Sequence, residues 1–215
     1  MKTARTALAT TLMLFLAAGC GGGGEGESST TAQLPQGCAQ VQQPAPKNVH
    51  LSRPTATLRS SANATVETSC GNFTIALDVR RAPKTASSFA HLARRGVYDD
   101  RPFHRIVPGF VIQGGDPTGT DAGGPGYFVD EPPSANTSYT LGTVAMAKSA
   151  AEPPGRSGSQ FFVVTVPDAG LTPDYAIVGR VSSGMDVVQR ISQLGTASGQ
   201  PREPVVIRQV AVQGG

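Results

Sequence analysis

Short runs in which apolar and polar residues alternate recur along the chain from about residue 64, and they predict β-strands. Residues 64–68 and 73–77 alternate on either side of Cys70-Gly71-Asn72, which predicts a hairpin. Later apolar runs, separated by glycine-rich connections, predict more strands. These are expected over residues 103–107, 110–113, 143–147, 160–166, 175–181 and 205–212.

Two segments have the 3.6-residue periodicity of helices instead. Pro83 suits the first turn of a helix, and Gly96 stands where a C-terminal cap is expected after a run with helical spacing. A second helix is predicted over residues 185–194, with valine and isoleucine on one face. Many short strands and few helices predict a mainly β fold, a closed β-barrel.

Composition limits the possible partners. The 215 residues suffice for one domain with appendages, and 26 Gly, 17 Pro and 15% charged residues suit a β-rich domain with long turns. The formal charge is +3. Removing Lys2 and Arg5 with a leader takes the basic residues from 18 to 16 against 15 acidic ones, a net +1. A nearly neutral chain gives no electrostatic reason to expect nucleic acid as a partner.

The N-terminus has the pattern of a targeting segment. Lys2 and Arg5 precede an apolar stretch, residues 7–18, that is too short to span a bilayer. It ends in Leu16-Ala17-Ala18-Gly19-Cys20, which resembles a bacterial lipobox. The resemblance implies that residues 1–19 are a lipoprotein signal peptide, that Cys20 carries the lipid, and that the protein is exported and anchored at the outer face of the cell membrane. The alternative is an ordinary secretory leader with an incidental cysteine.

The segment after Cys20 differs in composition from the rest. Residues 20–54 are rich in Gly, Ser, Pro and Gln and predict a flexible tether, so the folded domain is expected over 55–215. If Cys20 is lipidated, Cys38 and Cys70 remain, and export permits a disulfide between them. A disulfide that closes a loop of about 30 residues stabilises the folded state by roughly 3 kcal/mol. Two free thiols are the alternative. The histidines are scattered and predict no metal site.

One arginine stands in an unusual setting. The stretch from Phe103 to Asp116 reads FHRIVPGFVIQGGD, and it sets Arg105 among apolar residues, with Gln113 eight positions on. Moving a guanidinium out of water costs several kcal/mol unless it is paired. Arg105 is therefore either part of a structural ion pair or placed to act on a ligand.

Three further blocks accompany this stretch: VAMA at 144–147, GSQFFV at 158–163 and YAIVG at 175–179. In order and spacing, the four blocks resemble the cyclophilins, a family of peptidyl-prolyl cis-trans isomerases, over about residues 65–212. The resemblance implies a closed eight-stranded antiparallel β-barrel capped by two α-helices. It also implies a monomer without cofactor or metal that acts on proline-containing, unfolded or flexible polypeptides.

The resemblance assigns roles to particular residues. Arg105, Gln113 and Phe110 are the expected catalytic residues. The expected substrate-binding residues are Val111, Ala147, Lys148, Gln160, Phe162, Leu171 and Tyr175. The chemistry agrees, because rotation about an X-Pro bond leaves a localised lone pair on the prolyl nitrogen, which a fixed cationic donor stabilises. Gly170 replaces a tryptophan that is usual in the family, and Lys148 stands where asparagine is common.

Two other functions are possible. A proline-binding holdase or scaffold with little turnover would use the same pocket. A serine hydrolase would need His104, Asp116 and Ser157 or Ser159, yet residues 155–159 lack the Gly-x-Ser-x-Gly pattern. We expect His104 to be structural and Asp116 to close a turn.

Overall fold

The structure is a computed structural model, and it describes residues 34–215. The predicted signal peptide and Cys20 lie outside this range. The strands are β1 (Ala62–Thr68), β2 (Gly71–Leu77), β3 (Arg101–Pro102), β4 (Arg105–Val107), β5 (Val111–Gly114), β6 (Val129–Asp130), β7 (Thr143–Met146), β8 (Arg156–Ser157), β9 (Phe161–Val164), β10 (Ile177–Ser183) and β11 (Val206–Gly214). The helices are α1 (Pro83–Arg94) and α2 (Met185–Ser192). Neither of these helices is long and apolar enough to cross a membrane.

Nine of the strands form one antiparallel sheet, in the order β3-β11-β1-β2-β10-β7-β9-β5-β4, and β6 pairs separately with β8. The two ends of this order, β3 and β4, are separated in the chain only by Phe103 and His104. The sheet must therefore curl strongly on itself. No ladder joins β3 to β4 among the described strands. The mainly β fold with two helices is confirmed, but eight strands and full closure are not.

The predicted hairpin is confirmed by the pairing of β1 with β2. The ladder ends at Thr68 and Gly71, and the hydroxyl of Thr68 donates a hydrogen bond to the carbonyl of Gly71 (2.6 Å). Gly71 has a φ of 111°, a conformation that other residues rarely adopt, so the turn needs a glycine there. The helices also begin where predicted, at Pro83 and Met185.

The sheet has a core on its inner side and a second apolar cluster on its outer side. Neighbouring residues on one strand point to opposite faces. Accordingly, Ile112 and Phe161 belong to the inner core, whereas Val111 and Phe162 belong to the outer cluster. Neither helix of residues 34–215 contributes to the outer cluster, which contains most of the residues expected to bind substrate.

The segment 34–61 differs from the expected tether. It has no helix and no strand as far as Ala62, yet Leu34, Val49, Leu51 and Leu58 pack against the inner core. The folded unit therefore begins well before the predicted boundary at residue 55, because apolar side chains in this polar segment find a surface to cover. The predicted disulfide between Cys38 and Cys70 is present. We call residues 38–51 the strap.

Candidate active site

The outer apolar cluster lies between β5, β9 and the loops around residues 139 and 171–175. Val111 on β5 and Phe162 on β9 are buried in it, and Phe110, Leu171 and Tyr175 are partly buried and pack against it. The ring of Tyr175 meets that of Phe162 edge to face, with the centroids 5.4 Å apart. The structure thus brings together residues that are far apart in the sequence and were expected to form a proline socket.

Arg105 lies beside this cluster, and strand pairing holds it there. It is opposite Gln113 in the ladder of β4 and β5, so both side chains lie on the same face. Its Nη1 donates to Oε1 of Gln113 (3.4 Å), and its guanidinium carbon lies 5.9 Å from the centre of the Phe110 ring. Among the residues that the structure describes, no carboxylate lies within 4 Å of the guanidinium. Arg105 is therefore not a member of a structural ion pair.

A directed chain of amides continues from Arg105. Nε2 of Gln113 donates to Oε1 of Gln160 (3.1 Å), and Nε2 of Gln160 donates to the carbonyls of Asp121 (3.0 Å) and Gly123 (3.1 Å). Those two carbonyls can only accept, so they fix the amide nitrogen of Gln160 toward the loop. Each amide then fixes the next, and the oxygen of Gln113 must face Arg105.

The other rim of the site carries a second cation. Beyond the end of β7, the amide of Ala147 donates to the carbonyl of Gln160 (2.8 Å). The Lys148 ammonium donates to the carbonyls of Ser149 (3.1 Å) and Glu152 (2.9 Å) and lies 5.7 Å from the Tyr175 ring centre. A groove of about 800 Å³ separates Lys148 from Arg105. The groove therefore has a basic side chain on each side.

Tyr139 is a residue of the site that the sequence did not indicate. It is fully buried beneath Phe162, and its hydroxyl donates to the carbonyl of Tyr175 (2.7 Å) and accepts from the Tyr175 amide (2.9 Å). Burial raises the pKa of Tyr139 to about 12, although the hydrogen bond to Tyr175 opposes this. Tyr139 thus fixes the backbone of Tyr175 from below. It precedes β7 in a loop without periodicity, so no pattern marked it.

The carboxylate of Asp116 is used within its own loop. It accepts hydrogen bonds from the amides of Thr118, Thr120 and Gly123 and from the hydroxyl of Thr118. Burial favours a higher pKa for Asp116, but these hydrogen bonds outweigh it and the pKa is lowered. The expectation that Asp116 closes a turn is confirmed.

The arrangement does not form a serine hydrolase triad. Nε2 of His104 lies 2.9 Å from Oδ1 of Asp121, and the hydroxyl of Ser157 donates to the carbonyl of Val129 (3.2 Å). Ser159 is buried and has no hydrogen-bond partner among the described residues. Burial lowers the pKa of His104, which favours the neutral ring. His104 is buried between β3 and β4, as expected of a structural residue.

Comparison with known proteins agrees with this geometry. A sequence model of the cyclophilin type peptidyl-prolyl cis-trans isomerase/CLD family matches residues 63–212. The chain is 42% identical over 140 residues to peptidyl-prolyl cis-trans isomerase-like 1 of Emericella nidulans, covering 63% of this chain and 85% of that one. It is 40% identical over 157 residues to peptidyl-prolyl cis-trans isomerase ppi1 of Schizosaccharomyces pombe, covering 70% and 99%.

Solved structures agree as well. A cyclophilin type peptidyl-prolyl cis-trans isomerase of Cryptosporidium parvum superposes with a TM-score of 0.67 at 28% identity, covering 73% of this chain and 99% of that one. The same relative in the presence of the dipeptide Ala-Pro gives a TM-score of 0.65, covering 71% and 99%.

The curled antiparallel sheet, its two helices and the apolar cluster on its outer face define a cyclophilin-like domain. The chain belongs to the family of cyclophilin-type peptidyl-prolyl cis-trans isomerases. Its activity is the interconversion of cis and trans X-Pro bonds.

Proposed function

We propose that Arg105 carries the catalysis by stabilising the twisted amide of a bound X-Pro bond. The barrier to rotation is about 18–20 kcal/mol because the planar amide is stabilised by resonance. Twisting localises a lone pair on the prolyl nitrogen, and a hydrogen-bond donor aimed at that nitrogen binds the twisted form better than either planar isomer. The observation that carries the proposal is a guanidinium without a carboxylate partner beside an apolar pocket.

The pocket would hold the proline ring while the bond rotates. Phe110, Val111, Phe162 and Leu171 present only apolar surface, which suits a pyrrolidine ring. A proline ring bound on this apolar surface would displace water beside the guanidinium, and a donor acts more strongly where the dielectric constant is low. Binding and chemistry thus use adjacent parts of one site.

The polar groove would hold the rest of the peptide. An extended chain could add to the end of β7, with the backbone of Ala147 and Lys148 and the side chain of Gln160 as hydrogen-bond partners. Tyr175 stands at the edge of the pocket, where its hydroxyl could donate to a substrate carbonyl. The substrates are proline-containing, unfolded or flexible polypeptides, and the enzyme acts as a monomer without a cofactor.

We also propose that the enzyme assists the folding of exported proteins at the outer face of the cell membrane. The basic and apolar residues of the N-terminus, followed by Leu16-Ala17-Ala18-Gly19-Cys20, support a lipid anchor on Cys20. The disulfide between Cys38 and Cys70 supports an oxidising compartment.

The direct test of the mechanism is the rate of cis-to-trans conversion of an X-Pro peptide by Arg105→Ala. Full activity in an Arg105→Ala variant that stays folded would contradict the proposed catalytic role of Arg105. The same variant separates catalysis from holdase or scaffold function, since those need binding alone.

A further inference from the structure

The loop of residues 117–126 lies between the strap and the active site. It has the sequence PTGTDAGGPG, with four glycines, and it contains neither helix nor strand. Its carbonyls at Asp121 and Gly123 are the acceptors that orient Gln160. A glycine-rich loop has many accessible conformations, so these acceptors stay in place only if the loop is held. The carboxylate of Asp116 holds the amides of Thr118, Thr120 and Gly123 from one side, which leaves the two ends of the loop to be fixed by other contacts.

The strap holds this loop at both ends. The amide of Lys47 donates to the carbonyl of Pro117 (2.8 Å), and the amide of Leu51 donates to the carbonyl of Pro125 (2.8 Å). Packing is also close at Gly126, where an added Cβ would lie 2.7 Å from Nδ1 of His50. The loop is thus pinned on either side of the two carbonyls that Gln160 uses.

Arg101 joins the strap and the loop from beneath. Its side chain is almost fully buried, with 2% of the residue exposed, and no described carboxylate lies within 4 Å of it. Its Nη1 donates to the carbonyls of Ala45 in the strap and Pro117 in the loop, both at 2.8 Å. Burying a guanidinium among carbonyls is costly. The proposed catalysis does not use this residue directly, and the bridge gives it a role.

The disulfide fixes the other end of the strap. Cys38 is bonded to Cys70 in the turn between β1 and β2, and the amide of Ala39 donates to the carbonyl of Ser69 (2.7 Å). Residues 40–44 contain no helix and no strand between this anchor and the contacts of Ala45. The covalent bond therefore limits how far the strap can move from the loop.

We propose that the strap is a positioning element of the active site. Through the loop of residues 117–126 it fixes Gln160 and Gln113, which orient Arg105, and the disulfide between Cys38 and Cys70 keeps it in place. The inference rests on the proposed role of Arg105. It assigns Arg101 as a positioning residue, which acts on the substrate only through the loop and the amide chain.

Release of the strap should affect turnover more than binding. The strap touches the loop but not the apolar cluster of Phe110, Val111 and Phe162, and of the strap residues Val49 alone lines the groove beside Arg105. We therefore expect kcat to fall by about three- to 30-fold, with a smaller change in KM, because small misplacements of catalytic groups are costly to rate. If the strap had a purely structural role, its release would lower the melting temperature of the protein. It would not lower kcat by a larger factor than it changes KM.

The first test reduces the disulfide in the full chain carrying Cys20→Ser, so that Cys38 and Cys70 are its only cysteines. Dithiothreitol, a dithiol, supplies two electrons and two protons, yielding two thiols and its own cyclic disulfide. We expect reduction to lower kcat to the level of Cys38→Ser/Cys70→Ser, which the reductant leaves unchanged. Unaltered kcat in the reduced, folded chain would overturn the role of the disulfide.

The second test is a double-mutant cycle between Arg101→Met and Gln160→Ala in the full chain. If the strap acts through Gln160, Arg101→Met lowers kcat in the natural background and has little further effect on Gln160→Ala. Equal losses in both backgrounds would overturn the inference. Arg180→Met is the matched control, since Arg180 also donates to a backbone carbonyl, that of Leu141, but touches neither strap nor loop.

Two precautions keep the result interpretable. If Arg101→Met does not fold, the same cycle is run with Cys38→Ser/Cys70→Ser in place of Arg101→Met, with the same two outcomes. If Gln160→Ala and Arg105→Ala both keep full activity, the proposed mechanism is wrong and the strap inference falls with it. If Gln160→Ala and Arg105→Ala lose activity but Arg101→Met lowers kcat by the same factor with and without Gln160→Ala, only the inference about the strap is wrong.

Discussion

Arg105 and Gln113 face each other across the ladder of β4 and β5, with 3.4 Å between Nη1 and Oε1. These two residues are eight positions apart in the sequence, and they become direct neighbours because the chain reverses between residues 107 and 111. Gln113 is the one side-chain acceptor of this guanidinium among residues 34–215, and a guanidinium has five N–H donors in all.

Gln113→Leu tests whether this contact matters for catalysis. We expect kcat to fall by about tenfold, because the guanidinium loses its acceptor and its orientation. KM should change less, since the apolar pocket is intact. Peptide isomerisation at several substrate concentrations measures both constants. Gln189→Leu is the control, because Gln189 donates to the carbonyl of Thr165 and not to a residue of the site. Equal activity of the two variants would show that Gln113 has no role in catalysis.

Phe161 and Phe162 are consecutive residues with opposite roles. Phe161 packs in the inner core against Phe89, Tyr98 and Phe103, so Phe161→Ala should lower the free energy of unfolding by about 3–5 kcal/mol. Phe162→Ala removes a central ring of the outer apolar cluster, where we propose that the proline ring binds, and should raise KM by about tenfold or more. Urea unfolding and kinetics of both variants check this. A normal KM for folded Phe162→Ala would place the proline ring elsewhere.

The pH dependence of stability should differ from that of activity. Burial lowers the pKa of His104, so the unfolded chain binds the proton more readily than the native chain. The contribution of His104 to the free energy of unfolding is therefore fully present above about pH 6.5. This contribution declines as the pH falls below that value. Urea unfolding across this range should show the decline in the natural chain and less of it in His104→Asn.

Turnover of a peptide without titrating groups should stay constant between about pH 6.5 and 9, because the proposed step transfers no proton. A bell-shaped profile of kcat within this range would instead indicate a general acid or base.

The proposed anchor predicts where the protein is found in cells. The natural chain should sediment with membranes and dissolve only in detergent, whereas Cys20→Ser should appear in the soluble fraction, because the acyl chains supply the membrane affinity. Cell fractionation with an antibody measures this. Cys38→Ser is the matched control, and continued membrane association of Cys20→Ser would argue against lipidation.

The sequence predicted those parts of the fold that depend on local patterns. Alternation alone located the hairpin before Leu77, and the spacing after Pro83 located α1. The stretch from Phe103 to Asp116 predicted two strands, and their pairing brings Arg105 and Gln113 onto one face of a hairpin.

Other features depend on distant contacts and left no periodic signal. Arg101 bonds to a carbonyl 56 residues away, and Tyr139 to one 36 residues away. The segment before Thr55 is polar in composition, yet Val49 and Leu51 pack against the core. The pairing at the two ends of the sheet also could not be read from alternation, because β3 has only two residues and is separated from β4 only by Phe103 and His104.

The central claim is that Arg105 accelerates rotation without being needed to hold the peptide. The most direct measurement is kcat of Arg105→Ala together with its affinity for an X-Pro peptide, with Arg180→Ala as control. We expect kcat to fall by about 100-fold or more while the peptide still binds. Full turnover by a folded Arg105→Ala variant would contradict the account.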